Sequence, residues 1–112
     1  SQVGVSAIQK SRARTRWRKY RLSPKAQDDM ESVWLYTLSQ WGHEQTERYI
    51  DDLAAAFNLL TSNPRLGKRC ENIRAGYRKH PTLRHVIYYR EVDYGIEIIR
   101  VLHDHQLATR HL

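Results

Sequence analysis

LRHVIYYREVDYGIEIIRVLH, residues 83–103, contains two runs of β-branched and aromatic side chains separated by a short polar break. The runs are His85–Tyr89 and Ile96–Leu102, and residues of these types favour the pleated, half-buried surface of a sheet. The break is the DYG at residues 93–95, whose glycine can adopt a positive φ. The pattern therefore predicts a β-hairpin. Because a hairpin alone is marginally stable in water, the rest of the chain must cover it.

Two amphipathic segments precede the hairpin. The first begins at Ser23-Pro24, a helix N-cap followed by proline, and its apolar stripe ends at Gly42. The second occupies about residues 43–62 and stops before Pro64. Since almost no chain joins them, we expect an antiparallel helical hairpin that covers one face of a sheet. Its predicted core residues are Val33, Trp34, Leu38, Leu53 and Phe57.

Two weaker segments complete the predicted sheet. Trp17–Leu22 alternates apolar and basic residues, with Tyr20 and Leu22 facing the core. Residues 72–80 indicate a strand with a weak centre at Gly76. The order strand, helix, helix, three strands is an α+β layout, with both helices on one face of a small, mostly antiparallel sheet.

Length and composition limit the classes of protein to consider. A chain of 112 residues holds one domain, here residues 17–112, and the basic, non-periodic residues 1–16 indicate a disordered arm or a remnant of cloning. The mean hydropathy is −0.75. One cysteine and no apolar run of roughly 20 residues indicate a cytoplasmic protein without a disulfide or a membrane span.

Charge is unevenly distributed along the chain, which carries a net +7. Acidic residues concentrate in the helical segments, whereas arginines interleave with tyrosines in the strands. Arginines beside aromatic residues suit phosphates and stacked bases, and a histidine among them can move a proton in RNA cleavage. On an open sheet face we therefore predict a target-binding surface of Arg74, Arg78, Arg84, Arg90, Arg100 and His103.

Motifs for other chemistries are missing from the sequence. It has no glycine-rich phosphate loop, no G-x-S-x-G and no H-E-x-x-H pattern. The run His103-Asp104-His105 offers metal-ligand types, but neighbouring residues on an extended chain point in opposite directions. We therefore expect neither a metal site nor a cofactor.

Six ordered segments resemble the ParE branch of the RelE/ParE toxin superfamily. They are YRLSPKAQDDM (20–30), QWG (40–42), NPRLGKR (63–69), IRAGYR (73–78), HVIYYR (85–90) and GIEIIRVLH (95–103), followed by a tail ending in RHL. The resemblance covers about residues 20–112. It implies a strand–helix–helix–three-strand fold, in agreement with the pattern of the residues.

The resemblance also implies a function. It indicates the toxin of a type II toxin–antitoxin pair, neutralised by a small, partly disordered, ParD-like antitoxin. Members of the ParE branch stall DNA gyrase on cleaved DNA, so we expect gyrase as the target, with any nucleic-acid contact made indirectly through it. Members of the RelE branch are ribosome-dependent ribonucleases. A messenger RNA endonuclease using His103, Arg84 and Arg100 is therefore the alternative, and a plain nucleic-acid-binding module is a third hypothesis.

The ribonuclease alternative matches the RelE pattern poorly. No tyrosine follows the last predicted strand, and the three predicted strands after the helices offer a single lysine, Lys79. A binding surface for the antitoxin is expected on the helices, because three large aromatic residues exceed what one narrow stripe can bury. A segment that folds on binding can use such anchors. The predicted anchors are Tyr36, Trp41 and Tyr49.

Overall fold

Five strands and a long, interrupted helix make up most of the described part of the chain. The computed structural model describes residues 19–106 and 108–112, so the predicted arm lies outside the described residues. The predicted α+β class is confirmed. The elements are β1 (Lys19–Leu22), α1 (Pro24–Ser62), β2 (Lys68–Arg69), β3 (Tyr77–Thr82), β4 (His85–Val92), β5 (Gly95–His103) and α2 (Ala108–His111).

The sheet has the strand order β1-β5-β4-β3-β2. β1 pairs with β5 in parallel, and the other pairs are antiparallel. Val92 pairs with Gly95, so the predicted hairpin forms around a turn of Asp93 and Tyr94. The register shifts between Tyr88 and Tyr89, where β5 holds one extra residue.

α1 begins and bends where the sequence indicates. The Ser23 hydroxyl accepts a hydrogen bond from the Ala26 amide at 3.0 Å and donates one to the Ile99 carbonyl at 2.7 Å. Gly42 has a φ of 84°, a conformation that favours glycine, and it divides α1 into a first arm (24–41) and a second arm (43–62). A straight helix of 39 residues would span about 58 Å, which exceeds the molecule's longest dimension of 38 Å.

The main core lies between the helical arms and the sheet. Ala26 of the first arm and Leu60 of the second arm pack in the same cluster, so the chain folds back at Gly42. Val33, Leu53 and Phe57 are buried as predicted, but Trp34 and Leu38 are only half-buried. These two lie about 100° and 140° around the helix from Val33, on the flank of the stripe. The full cluster is Tyr20, Ala26, Ala56, Phe57, Leu60, Ile87, Tyr89, Ile96, Ile98 and Val101.

The other face of the sheet is partly covered, which corrects the expectation of an open face. Successive strand residues point to opposite faces. Val101 accordingly packs in the main core and Leu102 in a second cluster. Residues of the turns before β3 and of the short helix α2 pack against this second face of the sheet. Buried Cys70, Tyr88 and Leu102 form this cluster, with Ile73, Tyr77, Val86, Ala108 and Leu112 against them.

The predicted strand over residues 72–80 is wrong at its start. Residues 71–76 form turns, closed by hydrogen bonds such as Ile73 N–H to the Cys70 carbonyl at 2.9 Å. β3 runs instead through Pro81 to Thr82. Pro81 has no backbone N–H to donate. It is tolerated because β2 pairs only with Arg78 and Lys79, so that no strand forms hydrogen bonds with the rest of this edge of β3. Among the described residues, no helix combines the length and apolarity needed to cross a bilayer.

Candidate functional site

Arg100, predicted to bind the target, is held inside the molecule. Its Nε and Nη2 atoms donate to the two oxygens of Asp29 at 2.7 and 2.8 Å, and its Nη1 donates to the His111 carbonyl at 2.6 Å. Both side chains of the ion pair are 13% exposed. Asp29 also accepts the Val101 amide at 2.9 Å. The pair therefore joins the start of α1 to β5 and α2, which is a structural role.

The other predicted target-binding residues do not form one surface. Arg78 donates to the Gly67 carbonyl at 2.8 Å, on the loop after α1. The guanidinium carbon of Arg74 lies 5.8 Å from the centre of the Tyr77 ring. Tyr77 lies opposite Arg90 on β4, and Arg90 Nε forms an ion pair with Glu97 Oε1 at 2.8 Å. Arg84 lies in the turn before β4. Tyr88 and Tyr89 are buried, so they offer no ring for a base to stack on.

A basic surface lies at the β2 edge, where the predicted target-binding residue Arg78 is joined by Lys68 and Arg69, which were not predicted as site residues. Lys68 lies opposite Lys79, and Arg69 lies opposite Arg78. We call these four residues the basic edge. Like charges directly opposite each other on a sheet are destabilising, so this arrangement favours an anionic partner. The KR of residues 68–69 was the available signal, but a two-residue strand is too short to be predicted from its pattern.

The loop that leads to the basic edge is fixed by Tyr89. Its hydroxyl accepts the Gly67 amide at 2.7 Å and donates to the Pro64 carbonyl at 2.9 Å. A Cβ at Gly67 would collide with the Tyr89 ring and the Lys79 carbonyl. Glycine is therefore required here by the close approach of the loop to the sheet, and the loop delivers Lys68 and Arg69 to β3 in a defined register.

His103 belongs to a group of polar residues at the opposite end of β4 and β5. His85 and His103 are cross-strand partners, with their ring centres 5.4 Å apart. The Tyr49 hydroxyl lies 2.6 Å from His85 Nδ1 and accepts the Arg84 amide at 3.2 Å. Burial lowers the pKa of His85 and raises the pKa of Tyr49. Both shifts favour a neutral imidazole that accepts from a protonated phenol.

The predicted catalytic group of the ribonuclease alternative is only partly assembled. His103 Nδ1 lies 2.9 Å from Asp104 Oδ1. Arg84 contributes its backbone amide to this end of the sheet. Arg100 does not join them, since each of its three guanidinium nitrogens donates to Asp29 or to the His111 carbonyl.

The prediction that the side chains of His103, Asp104 and His105 point apart is wrong. β5 ends at His103, and the following residues form a turn rather than an extended strand. One ligand atom from each side chain lies within 4.8 Å of the others. Side chains that would alternate on a strand therefore converge here.

The predicted antitoxin anchors divide into two kinds. Tyr36 and Trp41 on the first arm of α1 are each 66% exposed, and Leu35, next to Tyr36 in sequence, is 58% exposed. Tyr49 is half-buried and bonded to His85, so it belongs to the fold rather than to an open aromatic surface. The half-buried Trp34 and Leu38 add apolar area on the flank that leads to Trp41.

Comparisons with known proteins agree with this fold. The profile of the ParE toxin of the type II toxin–antitoxin system parDE matches residues 20–108. The chain is 42% identical to Toxin ParE1 of Caulobacter vibrioides over 93 residues, which covers 83% of this chain and 96% of that protein. It is 40% identical over 95 residues to Toxin ParE1 of Mycobacterium tuberculosis, covering 84% and 97% of the two chains.

A solved structure shows the same fold at low sequence identity. A chain of the chromosomal ParDE system from P. aeruginosa superposes with a TM-score of 0.65 at 18% identity, covering 78% of this chain and 96% of that one. The profile match and the two toxin relatives cover most of the sequence. The chain therefore belongs to the ParE toxin family of type II toxin–antitoxin systems.

Proposed function

We propose that this toxin acts in the cytoplasm by binding DNA gyrase through the basic edge. A ParD-like antitoxin binds the toxin and neutralises its activity. The observation that carries the proposal is the pair of opposed cations on β2 and β3, Lys68 with Lys79 and Arg69 with Arg78, in a chain of the ParE family. Gyrase works on DNA, whose phosphates supply the anionic partner that these residues lack within the sheet.

The two cation pairs of the basic edge lie at the rim of the sheet, with Lys68 and Lys79 on one face and Arg69 and Arg78 on the other. Lys68 and Arg69 are exposed, and β2 is the outermost strand of the sheet. The exposed cations Arg65, Arg74 and Arg90 lie on the neighbouring loop, turns and strand, although Arg65 and Arg90 are paired with Glu91 and Glu97. Because these charges are exposed, salt should weaken the contact with gyrase.

Ribonuclease activity is the less supported function. His103 and Asp104 form a polar pair, but of the two arginines that the mechanism would recruit, Arg100 is bonded to Asp29 and only Arg84 is exposed. A cation fixed in a structural ion pair is not free to stabilise charge on a cleaved phosphate. Binding without catalysis is therefore the proposed mode of action.

Replacing Lys68 and Arg69 together by alanine should weaken inhibition of purified gyrase in a supercoiling assay. Each exposed charge interaction is worth up to about 1 kcal/mol, so the half-inhibitory concentration should rise on the order of tenfold. The matched control is Lys25→Ala with Arg48→Ala. It removes the same net charge from exposed positions on α1 and should retain inhibition.

Three outcomes of this assay are decisive. Loss of inhibition confined to the basic-edge variant supports the proposal. Equal loss in both double variants would mean that net charge, and not the basic edge, matters. Wild-type protein that leaves gyrase active but cuts messenger RNA at defined sites, with the cuts absent in His103→Ala, would establish the ribonuclease function instead.

The antitoxin is proposed to cover the first arm of α1 around Tyr36 and Trp41. Large exposed aromatic residues are the usual anchors of an interface, because they bury much apolar area at little cost in side-chain entropy. Leu35, Trp34 and Leu38 extend the same arm's apolar surface. A disordered segment that folds into a helix on binding suits a long surface of this kind.

Trp41→Ala should weaken binding of the cognate antitoxin. A central aromatic anchor is typically worth about 2 kcal/mol or more, so the dissociation constant should rise roughly thirtyfold. Isothermal titration calorimetry measures it, and Leu66→Ala, an exposed apolar residue on the loop after α1, is the control. Unchanged affinity for Trp41→Ala with the fold intact would remove the first arm as the antitoxin site.

A further inference from the structure

We propose that His103, Asp104 and His105 form a Zn²⁺-binding site at the end of β5, a property separate from gyrase or antitoxin binding. Two imidazoles and one carboxylate present a ligand atom each within 4.8 Å of one another. Imidazole and carboxylate are the ligand types that Zn²⁺ accepts, whereas Mg²⁺ and Ca²⁺ prefer oxygen alone.

The distances between ligand atoms fit a shared ion. In a tetrahedral zinc site with bonds of about 2.0–2.1 Å, neighbouring ligand atoms lie about 3.3 Å apart. Here Asp104 Oδ1 lies 2.9 Å from His103 Nδ1 and 3.7 Å from His105 Nε2. These two separations bracket the tetrahedral value, and all three ligand atoms lie within 4.8 Å of one another. His103 Nδ1 also accepts the His105 amide at 3.3 Å, a hydrogen bond that a bound ion would replace.

The backbone holds these ligands in a defined turn. The Gln106 amide donates to the His103 carbonyl at 2.9 Å, and the Gln106 side chain accepts the His103 amide at 2.7 Å. The Asp104 amide donates to the Arg84 carbonyl at 3.0 Å, which ties the turn to the one between β3 and β4. Three convergent ligands on a fixed turn cost less ordering than three ligands on a mobile tail.

The surroundings define the type of site. His103 packs against His85, while His105 is 87% exposed, so one side of the cluster is supported by protein and the other faces solvent. Three protein ligands leave a fourth position for water or a partner's group, as in open zinc sites. Binding should also raise the thermal stability of the protein, because the ion favours the folded turn.

The test is calorimetric titration of the untagged, metal-free full chain with zinc chloride. We expect saturable binding at a single site and an increase in the melting temperature. Replacing a residue that only hydrogen-bonds to a metal ligand typically lowers metal affinity by about 10–100-fold. Loss of a ligand in His105→Ala or Asp104→Asn should therefore weaken binding at least about tenfold. Both positions are exposed, so both variants should fold.

The control is His43→Ala, which removes an exposed histidine on α1, remote in sequence from the turn. It should bind Zn²⁺ as the wild type does. NMR spectra of the histidine rings should show zinc-dependent shifts at His103 and His105, with His43 unaffected. Absence of saturable binding, or equal affinity in His105→Ala, Asp104→Asn and the wild type, would overturn the proposal.

Discussion

Phe57→Ala should lower the free energy of unfolding by about 3–5 kcal/mol. Phe57 is 2% exposed, and its ring centre lies 5.3 Å from that of Tyr20 at an interplanar angle of 52°. The substitution removes the aromatic contact between the second arm of α1 and β1, and it leaves a cavity that the neighbouring Ala56 and Leu60 cannot fill. Urea denaturation followed by circular dichroism measures the change.

Leu59→Ala is the matched control for Phe57. It lies two residues away on the same arm and is 46% exposed, so its truncation should change the unfolding free energy by less than about 1 kcal/mol. The difference between the two variants then reports burial and not helix propensity. Equal effects in both variants would mean that the second arm does not pack on the sheet through Phe57.

Asp29→Ala should destabilise the protein by about 3–5 kcal/mol, because it leaves a largely buried guanidinium without its anion. Asp29 accepts three hydrogen bonds, two from Arg100 and one from the Val101 amide. Removal of the carboxylate also frees Arg100, whose third bond holds the carbonyl of His111 in α2. Denaturant unfolding should give a lower midpoint, and hydrogen exchange should rise in α2.

The neighbouring carboxylate provides the comparison for Asp29. Asp28 is exposed, so Asp28→Ala should stay within about 0.5 kcal/mol of the wild type. A double variant, Asp29→Leu with Arg100→Met, should recover part of the loss, since exchanging a buried pair for apolar residues is often neutral. If Asp29→Ala were as stable as Asp28→Ala, the ion pair would not anchor α1 to β5.

Elements specified by neighbouring residues were predictable from the sequence. The β4–β5 hairpin follows from two apolar runs around a short turn, and the start of α1 follows from Ser23 and Pro24. The bend at Gly42 and the burial of Tyr20 also agree with prediction. In each case the sequence signal lies within a few residues along the chain, such as a cap, a turn or an alternating pattern.

The roles of the polar residues were decided by contacts distant in sequence. Arg100 has the pattern of a surface cation, yet its partner is 71 positions away on α1, and Tyr49 finds its partner on β4. β2 exists only because the loop docks beside β3. The sequence by itself determined the β4–β5 hairpin, the two arms of α1, the strand before them and the toxin family. Only the tertiary structure decided which cations remain available to a target and which residues converge at the end of β5, because pairing, burial and desolvation depend on the packed fold.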